Sequence, residues 1–402
     1  MQQADQVAYL ERMLCMVRTN TRDDAPGVMH TPVEGYYDPV RYQREVDLLF
    51  RKYPIVAAFS SQLRNAGDFV VHNETGQPIL VTRGTDGVLR AFLNVCRHRG
   101  AAVEQKPCGA NKRAFVCAYH GWSYDLTGRL VGITDAATFG EIDRSKYGLR
   151  RLKLAEKYGL VWVVPTALED NEDTSLDIEG YLGALNADLS GWDMQGWELH
   201  SSEPIRPRMN WKLVIDTFLE LYHFRYLHPG TVYPLFLDNI ATYERMGNHM
   251  RWAAAKRSLT ELEGQPQESW RIRDHAIVFY SLFPNTVLTY TQDHCGVFSS
   301  FPISPDEAVL RFSVLVPPEE KAAKPEKYWK ANVDLFANAL VEDLGIGETI
   351  QKNFRSGANR QQTFGKFEKA LGWYHQEVET AVDDVVLKKS GRFGRFGPNI
   401  AC

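Results

Sequence analysis

Two patterns of hydrophobic residues divide the chain. From residue 54 to residue 165, short β-rich segments alternate with turn residues, and Thr85-Asp86-Gly87 predicts a hairpin. This region is therefore predicted to be a small all-β domain. Its predicted strands cover 70–71, 78–82, 88–95, 114–117, 122–125, 130–133 and 160–164.

Helical spacing of apolar residues flanks this region, and strands and helices mix after residue 192. The second half is therefore predicted as α+β, built on an antiparallel sheet. We expect an arm at 1–37, a domain with a leading helix at 38–165 and a second domain at 166–402. The predicted helices cover 7–17, 38–52, 216–227, 328–354 and 364–389, and the later strands cover 277–283, 286–290, 297–301 and 310–316.

Composition narrows the functional classes. The 402 residues carry a net charge of −4, which is not the basic footprint of a nucleic-acid binder. No apolar run approaches the length of a membrane span, and no signal peptide is evident at the N-terminus. The 6 cysteines are scattered, so a reducing cytoplasm is expected rather than a disulfide scaffold. Clustered Cys and His residues then suggest metal.

A first group of candidate ligands consists of two mixed pairs. Cys96 and His98 precede Cys117 and His120 by eighteen residues, and each pair can lie on one loop at a strand end. Two Cys and two His suit a [2Fe–2S] cluster with His on one iron. A zinc site is the alternative, although zinc fingers usually have a Cys pair followed by a His pair.

A second group lies in the predicted helix 216–227. Glu220 and His223 share one helical face, and His228 follows just before Pro229, which marks the helix end. Two His residues and one carboxylate form the facial triad of non-haem Fe(II) oxygenases. The alternative is a pair of ordinary surface or core histidines.

Both groups resemble one family. The segments NVCRHRG at 94–100 and CAYHGWSYD at 117–125 resemble the cluster-binding loops of the Rieske oxygenases, which are the α subunits of ring-hydroxylating dioxygenases and related monooxygenases. The segment at 210–228 resembles the mononuclear-iron helix of that family, with Asn-Trp-Lys, an acid, two residues, His, four residues and His. The resemblance covers about residues 38–390.

The resemblance implies roles for the acidic residues. Asp343 matches the second member of the acidic pair that supplies the third iron ligand on a late helix, with Glu342 and then Glu348 as alternatives. A simpler explanation is that these acids only favour the start of a helix that continues to Gln351. Glu220 matches the carboxylate that links a cluster-ligating His to an iron-ligating His. Glutamate in place of the commoner aspartate resembles the subset that acts on carnitine, glycine betaine and stachydrine.

The implied protein is a terminal oxygenase with a Rieske β domain, a helix-grip-like catalytic domain, a [2Fe–2S] cluster and a mononuclear Fe(II). Electrons would come from NADH through a separate reductase, with or without a ferredoxin. A homotrimer or a multiple of three is implied, and a β subunit is an open question. A Rieske electron carrier without oxygenase chemistry is the alternative class, and it would hold two irons per chain instead of three.

For the substrate, we favour a small aromatic or alicyclic compound, because five candidate pocket residues are apolar. Mono- and dioxygenation both stay open. Oxidative demethylation or cleavage of a quaternary ammonium compound is the alternative. The five residues are Leu219, Leu221, Phe224, Phe236 and Phe279.

Overall fold

The computed structural model describes the backbone of residues 1–390 and the side chains of residues 1–383. No helix in this part is long and apolar enough to cross a membrane. The helices are α1 (Gln3–Thr19), α2 (Pro39–Leu48), α3 (Ile178–Leu182), α4 (Leu185–Trp192), α5 (Trp211–Asp216), α6 (Phe224–Leu227), α7 (Ile272–His275), α8 (Pro318–Ala323), α9 (Glu326–Asn353) and α10 (Lys369–Ser390). The strands of the first half are β1 (Met29–Pro32), β2 (Ile55–Phe59), β3 (Phe69–His72), β4 (Ile79–Arg83), β5 (Leu89–Leu93), β6 (Cys108–Gly109), β7 (Ala114–Val116), β8 (Ser123–Asp125), β9 (Leu130–Gly132), β10 (Arg151–Lys157) and β11 (Leu160–Val164). The later strands are β12 (Glu198–Ile205), β13 (Phe236–Met246), β14 (His249–Lys256), β15 (Ala276–Leu282), β16 (Thr286–Tyr290), β17 (Cys295–Ser304), β18 (Glu307–Val316) and β19 (Gln361–Phe364).

The first half folds into two antiparallel sheets. The larger has strand order β2-β11-β10-β5-β4-β3-β6, and the smaller has the order β7-β8-β9. β4 and β5 form the predicted hairpin, and Gly87 at its turn has a φ of +75°, which a residue with a Cβ rarely adopts. The predicted all-β fold of this region is confirmed. β2 and β10, which both pair with β11, were not predicted.

The second half is built on a seven-stranded antiparallel sheet with strand order β12-β18-β17-β16-β15-β14-β13. Trp211 of α5 and Leu340 of α9 share one buried core with Phe298 and Phe312 of the sheet. The two helices therefore cover one face of the sheet, and residues between that face and the helices can form an enclosed site. The predicted α+β class is confirmed.

The N-terminal residues pack against the second half. Leu10 and Met13 of α1 are fully buried and lie in one cluster with Ala253 and Tyr280 of the seven-stranded sheet. Strand β1 pairs with β19, which follows α9 in the chain. The boundaries predicted at 37/38 and 165/166 stay a prediction, and residues 391–402 of the predicted second domain lie outside the described residues.

Two predicted helices were wrong in their extent. The helix predicted at 216–227 is interrupted, because α5 ends at Asp216 and α6 begins at Phe224. The Glu220 carboxylate accepts the backbone N–H groups of Tyr222 and His223, which replaces helical hydrogen bonds with a side-chain cap. The helix predicted at 364–389 begins at Lys369, because the residues before it form β19 and a 3₁₀ turn.

A buried ion pair joins α2 to α5. The Lys212 ammonium donates to both Glu45 carboxylate oxygens, at 2.8 and 2.7 Å, and to the Gly35 carbonyl at 2.9 Å. Trp211 Nε1 also donates to Glu45, at 2.9 Å. Burial lowers the pKa of Lys212, although Glu45 opposes this. Because α5 leads into the segment with Glu220, this pair anchors the chain just before the candidate iron site.

Removing the charge of Lys212 should therefore be costly. Lys212→Met leaves the Glu45 carboxylate buried without its counter-ion, and the free energy of unfolding should fall by about 3–5 kcal/mol. Urea denaturation followed by circular dichroism measures this change. Lys330→Met is the matched control, since Lys330 pairs with Asp334 on the exposed surface of α9 and its loss should have no measurable effect. Equal effects of the two substitutions would contradict the prediction.

Candidate cluster and iron sites

Two loops of the first half carry the four predicted cluster ligands. Each loop turns tightly, since the N–H groups of Gly100 and Gly121 donate to the carbonyl oxygens four residues before them, at 2.9 Å in both loops. Both glycines have a positive φ, +84° and +72°. The ligands are Cys96 and His98 after β5, and Cys117 and His120 between β7 and β8.

The four side chains converge. The ring centroids of His98 and His120 lie 4.6 Å apart, and the Cys96 thiol is close enough to raise the pKa of the Cys117 thiol. His120 Nδ1 is buried and has no hydrogen-bond partner among the described residues, a deficit that a metal bond would remove. Burial raises the pKa of the Cys117 thiol, so its thiolate form needs the positive charge of bound iron. The set fits a [2Fe–2S] cluster with mixed Cys and His ligation.

Two aromatic residues support the cluster loops. The Tyr124 hydroxyl lies 3.3 Å from Cys96 Sγ and accepts the backbone N–H of Arg97 at 2.9 Å. The ring of Trp122 stacks on His98, with centroids 5.1 Å apart and an interplanar angle of 10°. These contacts hold one thiol and one imidazole in position. The sequence reasoning gave neither aromatic residue a function, although both belong to the motif CAYHGWSYD.

The second group also converges. His223, His228 and Asp343 each offer one ligand atom, and these atoms lie within 4.8 Å of one another. Asp343 Oδ1 is 3.0 Å from His228 Nε2 and 3.4 Å from His223 Nε2. His223 Nε2 is buried and has no well-formed hydrogen bond within the described part of the chain. Two imidazole nitrogens and one carboxylate oxygen fit a mononuclear non-haem iron.

Each imidazole also contacts a carboxylate of its own through its Nδ1 atom. Glu220 contacts His223 Nδ1, and Glu342 Oε2 lies 2.6 Å from His228 Nδ1. This arrangement turns both Nε2 atoms toward Asp343, as in sites where an outer carboxylate orients a metal-bound His. Although burial alone would lower it, Glu220 and Asp343 raise the pKa of His223 to about 10. The site thus has an excess of negative charge that a cation would balance.

The three acids considered as third ligand occupy different positions. Only Asp343 reaches the side shared by both Nε2 atoms, whereas Glu342 contacts the far nitrogen of His228. Glu348 is half-buried and accepts the backbone N–H of Arg208 at 2.9 Å. The expectation that these acids begin a helix was wrong, because all three lie inside α9. Iron ligation by Asp343 stays a prediction.

A cavity of ≈210 Å³ borders the second group at His228 and Asp343. Eight of its 25 lining residues are Phe, Trp or Tyr, and the rings of Trp252 and Phe279 stack with centroids 3.8 Å apart. The inward face of strands β14 to β17 forms one side, and α9 forms another. Six of the aromatic lining residues are Phe224, Phe236, Trp252, Phe279, Phe298 and Phe336.

The expected pocket residues were partly correct. Phe224, Phe236 and Phe279 line the cavity, but Leu219 and Leu221 are buried in the core and do not line it. Both leucines lie in the segment between α5 and α6, which was predicted to be helical and is not. The cavity residues of β14 were not predicted from the sequence, because that strand was not predicted.

Two family descriptions match the chain. "Rieske [2Fe-2S] domain" matches residues 53–147, and "Ring hydroxylating alpha subunit (catalytic domain)" matches residues 194–384. Together with the two convergent sites, these matches define an iron–sulfur oxygenase. The chain belongs to the Rieske oxygenases and is an oxygenase α subunit, a family whose cofactors are the [2Fe–2S] cluster and a mononuclear iron.

Curated relatives align over most of the chain. The carnitine monooxygenase oxygenase subunit of Escherichia coli (strain K12) is 28% identical over 343 residues, which cover 82% of this chain and 86% of the relative. The glycine betaine monooxygenase oxygenase subunit of Pseudomonas aeruginosa (strain UCBPP-PA14) is 25% identical, covering 86% and 88%. The chloroplastic choline monooxygenase of Spinacia oleracea is 25% identical, covering 87% and 78%.

Solved structures share the fold. A quaternary ammonium Rieske monooxygenase in complex with L-carnitine superposes with a TM-score of 0.75 at 22% identity, covering 89% of this chain and 96% of that chain. Naphthalene 1,2-dioxygenase from Rhodococcus sp. bound to indole superposes with a TM-score of 0.73 at 20% identity, covering 94% and 98%. The common fold therefore accommodates both classes of substrate that the sequence left open.

The geometry predicts different effects for two neighbouring acids. Asp343→Ala removes one of three inner donors and its charge, so iron should fall from three to two per chain while the visible cluster spectrum persists. Glu342→Gln, the matched control, should keep three irons but bind the third about 10- to 100-fold more weakly. Metal analysis before and after chelator titration measures both. Iron loss in Glu342→Gln with retention in Asp343→Ala would reverse the assignment.

Proposed function

We propose that this chain is the terminal oxygenase of a system that oxidises a quaternary ammonium compound. Relatives named as carnitine, glycine betaine and choline monooxygenases support this proposal, and so does glutamate at position 220. The aromatic or alicyclic substrate that we favoured from the sequence becomes the second candidate. Its remaining support is the fold shared with naphthalene 1,2-dioxygenase.

The observation that carries the proposal is the aromatic wall of the cavity. A quaternary ammonium group cannot donate a hydrogen bond, so ring faces are its natural partners, and each well-placed face contributes about 0.5–2 kcal/mol. Phe224, Phe236 and Phe279 line the cavity, whereas Trp252 contributes only an edge, because Phe279 and Tyr243 stack on its two faces with centroids 3.8 and 5.3 Å away. The carboxylates of Glu220 and Asp343 add negative potential at the same boundary. The cavity of ≈210 Å³ suits a small cation.

The proposed residue roles follow from the two sites. Cys96, His98, Cys117 and His120 hold the cluster, and His223, His228 and Asp343 hold the iron. When bound, the cluster supplies electrons one at a time and the iron activates O₂. Overall, one oxygen atom enters a C–H bond next to the cationic nitrogen, and the C–N bond then breaks. The second oxygen atom leaves as water, with two electrons and two protons consumed.

Glu220 has a second proposed role, as the bridge between subunits of a homotrimer or a multiple of three. Its carboxylate contacts Nδ1 of His223, and it would also accept a hydrogen bond from His120 of the partner subunit. Tyr222 and Tyr226 beside it are 50% and 76% exposed, which leaves an apolar surface for such a contact. A separate reductase, with or without a ferredoxin, would deliver electrons from NADH. A β subunit is not required by this arrangement.

The substrate class can be tested directly. With NADH and a surrogate reductase, glycine betaine, carnitine or choline should stimulate O₂ uptake, and each turnover should yield one aldehyde and one amine that has lost a carbon substituent. Mass spectrometry of the products measures this. Naphthalene is the matched neutral control and should cause no uptake. Hydroxylated naphthalene, without turnover of any quaternary ammonium compound, would instead support the second candidate.

Glu220→Gln should separate the bridging role from metal binding. The amide has one acceptor oxygen, so only one of the two imidazoles keeps its partner. The variant should retain three irons, while reoxidation of the pre-reduced visible chromophore by O₂ with substrate present should slow at least tenfold. Stopped-flow absorbance measures the rate, and light scattering measures the mass. A monomer that reoxidises at the parent rate would exclude the inter-subunit role.

A further inference from the structure

The substrate cavity contains one basic residue whose charge is not explained by the residues around it. Within the described part of the chain, Lys256 is the only lysine or arginine that lines this cavity. Its ammonium donates to the backbone carbonyl of Arg273 at 2.7 Å, and it forms no ion pair with any described carboxylate. An ammonium has three N–H donors, so two are left for another acceptor. Burial lowers the pKa of Lys256, and the attraction of Asp274 and Asp293 only partly offsets this effect.

The surrounding charges do not supply a counter-ion. Arg273 lies behind Lys256 and donates to the carbonyls of Thr291 and Gln292, and it also has no ion pair among the described residues. The carboxylate of Asp274 is exposed and attracts Lys256 only at longer range. Among the described residues, no carboxylate therefore forms an ion pair with Lys256 or Arg273.

Asp293 also lines the cavity, but its carboxylate is already fully engaged. Oδ1 lies 2.7 Å from His294 Nδ1, and Oδ2 contacts the Lys324 ammonium and the Tyr328 hydroxyl. Although burial opposes it, these hydrogen bonds hold the pKa of Asp293 well below its usual range. Asp293 attracts Lys256 only at longer range, because His294, Lys324 and Tyr328 already occupy both of its carboxylate oxygens.

Lys256 is separated from the candidate iron ligands by aromatic rings. Lys256 pairs with Phe236 across strands β13 and β14. The ring of Phe236 lies 5.5 Å from that of Phe224, which in turn lies 5.5 Å from the imidazole of His228. The cavity thus combines acids and aromatic rings near His228 with a positive charge beyond them. A ligand with one cationic and one anionic end matches this order of charges.

We infer that Lys256 is a specificity-determining residue that binds the carboxylate of a zwitterionic substrate, in which a quaternary ammonium group and a carboxylate are joined by a short chain. This inference rests on the proposed function, because it assumes that the cationic end lies against the aromatic wall. It divides the quaternary ammonium compounds into two groups. Glycine betaine and carnitine carry the carboxylate that Lys256 would bind, whereas choline carries a neutral hydroxyl in its place.

The test is equilibrium binding to the full-length protein, loaded with iron and kept without O₂ so that no turnover occurs. Isothermal titration calorimetry compares glycine betaine with choline, which are similar in size. The parent should bind glycine betaine more tightly. Lys256→Met removes a hydrogen bond between charged groups and should lower the ratio of the two affinities about 10- to 100-fold. Lys256→Arg keeps the charge and should largely restore the ratio.

The possible outcomes separate the two hypotheses. If both compounds bind but Lys256→Met leaves the ratio of affinities unchanged, the inference about Lys256 is wrong and the proposed function stands. If neither glycine betaine, carnitine nor choline binds to the parent, the proposed function fails and the inference falls with it. Thermal denaturation and cluster absorbance check that each variant is folded. Lys256→Gln, with an uncharged polar side chain, replaces Lys256→Met if that variant does not fold.

Discussion

Glu220 and Glu342 hold the two imidazoles of the candidate iron site from behind, and this constraint orients the rest of the site. Each carboxylate contacts the Nδ1 atom of one ring, so both Nε2 atoms face Asp343. Three carboxylates then surround His223 and His228 in a largely buried space, and uncompensated charge in such a space is costly. The pKa of His223 is raised for the same reason, because the negative charge of the carboxylates favours a bound proton or metal ion.

The same constraint explains why α6 ends before His228. His228 lies five positions after His223, and in a continuous helix five positions rotate the side chain by about 500°, which leaves the two residues about 140° apart. They could not then bind one metal. The chain solves this by ending α6 at Leu227. His228 lies just past the end of α6, where its backbone is no longer helical.

How much the sequence could predict depended on the range of the interactions. The candidate cluster ligands and the two His residues lie in short motifs, so each group could be predicted from neighbouring residues in the sequence. Strand β14 could not, because its Ala253-Ala254-Ala255 run has low β propensity and pairs only through tertiary burial. Trp252 and Lys256 were missed with it. Asp343 was preferred to Glu342 only through the family resemblance, because the sequence itself does not show which of two neighbouring helical residues, about 100° apart, faces the histidines.

The candidate iron site lies between two different cavities, and each cavity reaches only some of the site's residues. Glu220 and Asp343 border both cavities, but His228 lines only the aromatic one of ≈210 Å³ and His223 only a second one of ≈460 Å³. The second cavity has a mixed lining, with polar residues such as Gln361 and apolar residues such as Leu227. Two cavities of different lining therefore meet at one set of side chains. A substrate bound in the first cavity would leave the far nitrogen of His223, with its Glu220 contact, accessible from the second.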